Sequence, residues 1–185
     1  MKYFRPLMPF SPWIVSGIIS AFFPSLELLS VLVFALLSFA KLRKGFLLEW
    51  SSLIFFLAKS CNDQIWQNGW ITDHLSILAS FFFFAVSIIS LWIHQPFTLQ
   101  YAKLEVEKKF WISPIFVRVN QLLTLGFGII FLSAALVHLY RYFHPNSFSG
   151  WMVWIPALVI KATFIKWFPA WYKKRALPIA WWKSF

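Results

Sequence analysis

Apolar residues run along this chain in blocks close to the length a bilayer demands, about 20 residues at about 1.5 Å each. Six blocks emerge, at 7–23, 24–40, 46–60, 74–93, 117–140 and 150–168. They predict an all-α fold, a polytopic transmembrane helical bundle of about six helices forming a single membrane domain over 1–185. No soluble domain fits between the blocks, and no low-complexity tract or internal repeat interrupts them. The first block is the weakest, because Pro6, Pro9 and Pro12 crowd its start; it either crosses fully or inserts in part. With five spans, the first two blocks become one long helix kinked at Pro24. With six, Pro24 opens the second helix, where a missing N–H costs little.

The longest connection, 95–113, lies between the fourth and fifth helices. Phe97, Tyr101 and Leu104 share one helical face there, and the charges come further on. That pattern predicts an amphipathic helix lying on the inner leaflet, with a solvated loop as the alternative.

Composition supports lipid as the solvent. The chain is 60% hydrophobic and 12% charged, where a soluble domain is nearer half apolar and about a quarter charged. A chain of 185 residues cannot bury that much apolar surface within itself. The 12 Trp and 23 Phe are of the kind that gather at bilayer interfaces and pack between helices.

The net charge of +11 does not imply nucleic acid, because Lys and Arg flank the apolar blocks as topology requires. Six spans collect Lys2, Arg5, Lys41, Arg43, Lys44, Lys103, Lys108, Lys109, Arg118, Lys173, Lys174, Arg175 and Lys183 on one side. The other side holds Asp63, Asp73 and Arg141. The positive-inside rule then places both termini in the cytoplasm, whereas five spans would put Lys2 and Arg5 outside. The basic tail, 169–185, mixes Trp171, Tyr172, Trp181 and Trp182 with cations, as an interfacial anchor on anionic lipid would. The lone Cys61 excludes an internal disulfide and any cysteine metal site. No small-x-small cleavage pattern precedes a polar mature domain, so a cleaved signal peptide is not expected.

Ionisable groups within apolar spans are costly and mark contacts or function. Glu27 sits near the outer end of the second helix. Lys59 precedes Asp63 by one helical turn, so the two can pair on one face. Glu49 lies one turn inside the inner end of the third helix, and Lys161 two turns from the inner end of the sixth. Either these two pair between helices, or Lys161 snorkels inward and Glu49 touches headgroups. Asn120 is expected to bond to a neighbouring helix, and Asn62-Asp63 to form a cap or turn at the outer face. His74, His94, His138 and His144 all sit near interfaces, which argues against haem. Gly126 and Gly128 allow close helix approach without the four-residue spacing of the strong dimer motif. No Gly-rich phosphate loop, His-Glu-x-x-His or Gly-x-Ser-x-Gly occurs, so neither enzyme activity nor a catalytic, cofactor or metal residue is expected.

One stretch carries a likeness. Gln95-Pro96-Phe97-Thr98-Leu99-Gln100-Tyr101-Ala102 is followed by Phe110-Trp111-x-x-Pro114 and then by Asn120. Around it come a Pro-containing first span, a basic turn after the second, Asn62-Asp63 after the third, and a basic tail. In this order of features the chain resembles the intracellular septation protein A family of bacterial inner-membrane proteins. The resemblance covers nearly the whole chain and is most specific from Pro96 to Asn120. It implies a non-enzymatic role in cell-envelope maintenance and septation. The lipid bilayer and other envelope or division proteins would be its partners, with homo-oligomerisation left open. It supplies no catalytic residues, and the Trp and Lys enrichment near the C-terminus departs from the family pattern. The alternative is a small transporter or lipid-handling protein with a polar path near Glu49, Lys161 and Asn120. A redox or enzyme subunit is the third reading.

Overall fold

The computed structural model describes residues 27–146 and 151–176, with Val15, Ile18 and Ile19, and only part of the side chains between 151 and 176. Among these residues the regular structure is entirely helical. The helices are α1 (Glu27–Arg43), α2 (Leu47–Cys61), α3 (Gly69–Asp73), α4 (Leu75–Trp92), α5 (Phe97–Glu105), α6 (Pro114–Phe143) and α7 (Trp151–Ala176). A π-helical turn spans Asn62–Trp66, and a 3-10 turn spans Lys108–Phe110.

The expected first span, 7–23, lies almost wholly outside the described residues, as do Lys2, Arg5 and 177–185. The other five blocks correspond to α1, α2, α4, α6 and α7. Pro114 opens α6 earlier than hydropathy suggested, since a proline in the first turn gives up no bond. Helix α7 continues through Pro169 to Ala176, so the first part of the expected tail is helical. Among the described residues two helices, α4 with 18 residues and α6 with 30, are long and apolar enough to cross a membrane. Helices α1 and α2 are shorter, at 17 and 15 residues.

Two helices end in the same way. After α1, the amide of Phe46 donates to the Lys41 carbonyl and that of Gly45 to the Leu42 carbonyl, with Gly45 at φ +72°. After α4, Gln95 donates to Ser90 and His94 to Leu91, with His94 at φ +58°. Both are Schellman stops, in which a left-handed residue lets the chain satisfy two terminal carbonyls. Pro96 cannot continue α4, so the chain turns into α5.

The core forms where α2, α4, α5 and α6 meet. Leu48, Phe83, Val86, Phe97 and Phe127 make up its buried cluster, and Leu47, Phe82, Tyr101 and Phe131 pack against it. Helices α4 and α6 make the most extensive pairing. They approach closely at Gly128, where an added Cβ would meet the Ser87 Cβ at 3.3 Å. On its other side α6 receives α7 through Gly126, whose missing side chain leaves room for the Phe164 ring.

Gly126→Ala would drive a methyl group into that ring. The variant is expected to lose about 1–3 kcal/mol of stability, read as a lower melting temperature in detergent. Adding Phe164→Leu should restore part of the loss. Equal melting of wild type and the single variant would show that α7 does not pack at this distance.

Candidate functional site

Two networks of polar side chains lie near the two ends of the helices. At the end marked by the α1–α2 turn lies Glu49, 1% exposed and in the first turn of α2. A carboxylate there complements the helix dipole, yet burial of its charge needs partners. Lys41 of α1 supplies one, with Nζ 3.1 Å from Glu49 Oε1. Tyr101 of α5 supplies the other, donating its hydroxyl to Glu49 Oε2 at 2.5 Å. Lys41 also lies 5.4 Å from the centroid of the Tyr101 ring, so cation, carboxylate and phenol form one compact group. Burial, reinforced by the charge and hydrogen bond of Glu49, pushes the Tyr101 phenol far above its ordinary value of 10.0. It therefore stays a donor throughout the physiological range.

Helix α5 is tied down along the rest of its length. Phe46 at the start of α2 offers no side-chain cap, and Gln100 Oε1 accepts instead from the Leu47 amide at 2.8 Å. A side chain far away in sequence thus satisfies one of the orphan amides of a helix N-terminus. On the opposite side, Thr98 Oγ1 donates to the Asn120 carbonyl at 2.8 Å and sits 2.8 Å from Thr124 Oγ1. The Phe97 amide lies 3.4 Å from Ser90 Oγ, and the Phe97 ring packs on Phe127 at 5.7 Å.

The face expected to lie on lipid is therefore largely turned inward. Phe97 is buried, Tyr101 packs edge-on against Phe46 at 5.2 Å, and Leu104 remains exposed. The reason is that Thr98, Gln100 and Tyr101 find their hydrogen-bond partners inside the bundle. Beyond α5, Trp111 Nε1 donates to the Val106 carbonyl at 2.9 Å, and Lys103 lies 5.4 Å from the centroid of the Trp111 ring.

Among the sequence-predicted residues, Glu49 is in contact, with Lys41 and Tyr101. The side chain of Lys161 is outside the described residues, as is that of Glu27. Asn120 is buried at 3% exposure, but its Nδ2 donates to the Phe116 carbonyl of its own helix at 2.8 Å. The contact with a neighbouring element is made by its backbone oxygen.

At the other end, Lys59 pairs with Asp63 at 2.8 Å across one turn, as the spacing predicts. Asn62 is 1% exposed, and its Nδ2 points at Asp63 Oδ1 (3.2 Å), Thr72 Oγ1 (3.1 Å) and the Asn68 carbonyl (3.5 Å). Its Oδ1 is buried with no hydrogen-bond partner. The π-helical turn closes when the Gln67 amide donates to the Asn62 carbonyl at 2.6 Å, and Gln67 takes φ +48°. Asn68 then caps α3 by accepting from the Trp70 amide at 3.0 Å.

Lys41, Thr98, Gln100, Tyr101 and Thr124 were not singled out as polar contacts by sequence reasoning. Four of the five follow from two signals, the basic turn for Lys41 and the polar positions of the Gln95–Ala102 stretch for Thr98, Gln100 and Tyr101. Comparison with protein-family models, with curated proteins and with solved structures returned no match.

Tyr101→Phe should cost about 1–3 kcal/mol by leaving a buried carboxylate oxygen without its donor. The phenol has a higher pKa folded than unfolded, so its contribution is complete below pH 10 and lost as pH rises above that value. Wild type should accordingly lose stability between about pH 10 and 11 more steeply than Tyr101→Phe. Chemical denaturation in detergent across that window checks the sign; parallel profiles would show that the phenol is not held by Glu49.

Proposed function

We propose that this chain is a multi-pass protein of the bacterial inner membrane, related to the intracellular septation protein A family. In this reading it serves envelope maintenance and septation through contacts with protein and lipid rather than through catalysis. The observation that carries the proposal is an inverted distribution of polarity. Ser30, Ser38, Glu49, Ser52, Ser60, Asn62, Ser80, Ser87, Ser90, Asn120, Thr124 and His138 are buried, while Leu32, Leu36, Phe39, Ile54, Ile129 and Leu136 are exposed. Leu36 is 74% exposed, and Ser38, two residues on, is 0% exposed. Water would reverse that choice; acyl chains favour it, because small polar residues pack and bond between helices in lipid.

The serines follow the rule of an apolar medium. Ser80, Ser87 and Ser52 each donate to the carbonyl four residues back, at Ser76, Phe83 and Leu48. Two helices of spanning length, α4 and α6, support the same reading. With α1, α2 and α7 as shorter or interrupted spans and 7–23 as the first, the count is six and both termini are cytoplasmic.

The likeness to the septation family rests on the stretch from Pro96 to Asn120. The contacts of Phe97, Thr98, Gln100 and Tyr101 give that stretch a structural task, which is to bind α5 to α2 and α6. The engagement of Glu49 by Lys41 and Tyr101 weighs toward such a structural role and away from a polar transport path.

Two measurements test the proposal. On a Cys61→Ser background, Pro24→Cys should react with a membrane-impermeant maleimide in intact spheroplasts, while Lys2→Cys should react only after permeabilisation. Deleting the gene should disturb septum placement or envelope integrity, and a photo-crosslinking residue at exposed Phe110 should capture an envelope or division protein. Normal septation and envelope together with no such capture would overturn the functional reading; labelling of Lys2→Cys from outside would overturn the topology.

A further inference from the structure

An open depression of about 370 Å³ lies where the start of α4 meets the end of α6, lined by Asp73, Ser76, Ile77, His138, Arg141 and Tyr142 among others. Its acidic and basic side chains, Asp73 and Arg141, are of opposite sign. Asp73 is exposed and Arg141 half-buried, yet they form no ion pair with each other or with another described residue. His138 lies one turn before Arg141 on the same helix and is 5% exposed. Along the two helices, Phe81 is one turn beyond Ile77 and Val137 one turn before Arg141, and both are exposed apolar side chains.

A cation and an anion that share a cavity without neutralising each other suit a ligand carrying both charges a few bonds apart. We propose that this depression binds the head group of a phospholipid with a free primary ammonium, a phosphoethanolamine head. Its phosphate would meet the Arg141 guanidinium, whose planar fork matches two phosphate oxygens. Its ammonium would donate to the Asp73 carboxylate. The acyl chains would descend over Phe81 and Val137, which a water-soluble zwitterion would leave uncovered. The inference rests on the membrane reading above, because the ends of helices as long as α4 and α6 are where head groups lie.

The test uses the full chain in detergent, melted with added dioleoyl phosphatidylethanolamine, phosphatidylcholine or phosphatidylglycerol, or with water-soluble phosphoethanolamine. Phosphatidylethanolamine should raise the melting temperature by about 5 °C, and each of the others by less than half as much. Phosphatidylcholine lacks the ammonium N–H donors, and phosphatidylglycerol lacks the cation. Arg141→Gln and Asp73→Asn should each remove the excess. Native mass spectrometry of wild type in an equimolar lipid mixture should retain phosphatidylethanolamine preferentially, and so reads the site even if a variant folds poorly. An equal shift with phosphatidylglycerol or phosphatidylcholine overturns the proposal, as does an excess that survives in both variants. A full shift with soluble phosphoethanolamine overturns the lipid source. Failure of every lipid to stabilise the chain would instead count against the membrane reading itself.

Discussion

The buried carboxylate of Glu49 sets the terms for one end of this molecule. At 1% exposure it has given up nearly all its hydration, a loss of several kcal/mol even after local relaxation. Its compensation comes from two separate places, Lys41 at the end of α1 and Tyr101 on α5. The Schellman turn at Gly45 brings the first within reach by folding α2 back beside α1. Docking of α5 brings the second. Neither the turn nor the docking would be fixed as tightly by apolar packing alone, since Phe46 and Phe97 fill space without specifying direction.

Through the rest of the structure the constraint is the satisfaction of buried polar groups. Backbone amides are satisfied inside helices, and buried hydroxyls of α2 and α4 return their protons to their own helix. That arrangement leaves small, internally satisfied surfaces on which helices can come close, as α4 and α6 do at Ser87 and Gly128. Leu32, Leu36, Phe39, Ile54, Ile129 and Leu136 point outward around the core, and in the proposed membrane setting nothing would penalise them. A few oxygens are exceptions: Ser38 Oγ, Ser60 Oγ and Asn62 Oδ1 are buried with no hydrogen-bond partner. Each forgoes a bond that could have stabilised its neighbourhood by about 1 kcal/mol.

Much of this was legible in the residues. Block length located α1, α2, α4, α6 and α7 because long apolar runs bounded by polar turns form helices. The pairing of Lys59 with Asp63 was legible because a helix fixes the distance between positions four apart. The bonds made by Asn120 were less so, since a buried amide can turn to its own backbone or to a neighbour, and only the packed structure decides. The partners of Glu49 were missed for a related reason. Depth matching suggested Lys161, whose side chain lies outside the described residues; Lys41 reaches Glu49 through a tight turn and Tyr101 through an amphipathic helix whose face turns inward. Periodicity grouped Phe97, Tyr101 and Leu104 on one face of α5 and assigned that face to lipid, whereas protein covers Phe97 and packs on Tyr101 and leaves Leu104 exposed.

Helix α5 bonds on one flank to α2 and on the other to α6, with contacts only two or three residues apart along its own length. Thr98 meets Asn120 and Thr124, and Gln100 and Tyr101 meet Leu47 and Glu49. Sliding α5 by a single position would therefore break both flanks together, because one rotation of about 100° about its axis moves all three side chains off their partners. The segment behaves as a key cut on two edges. It admits one alignment of α2 against α6, and it charges any error in that alignment twice.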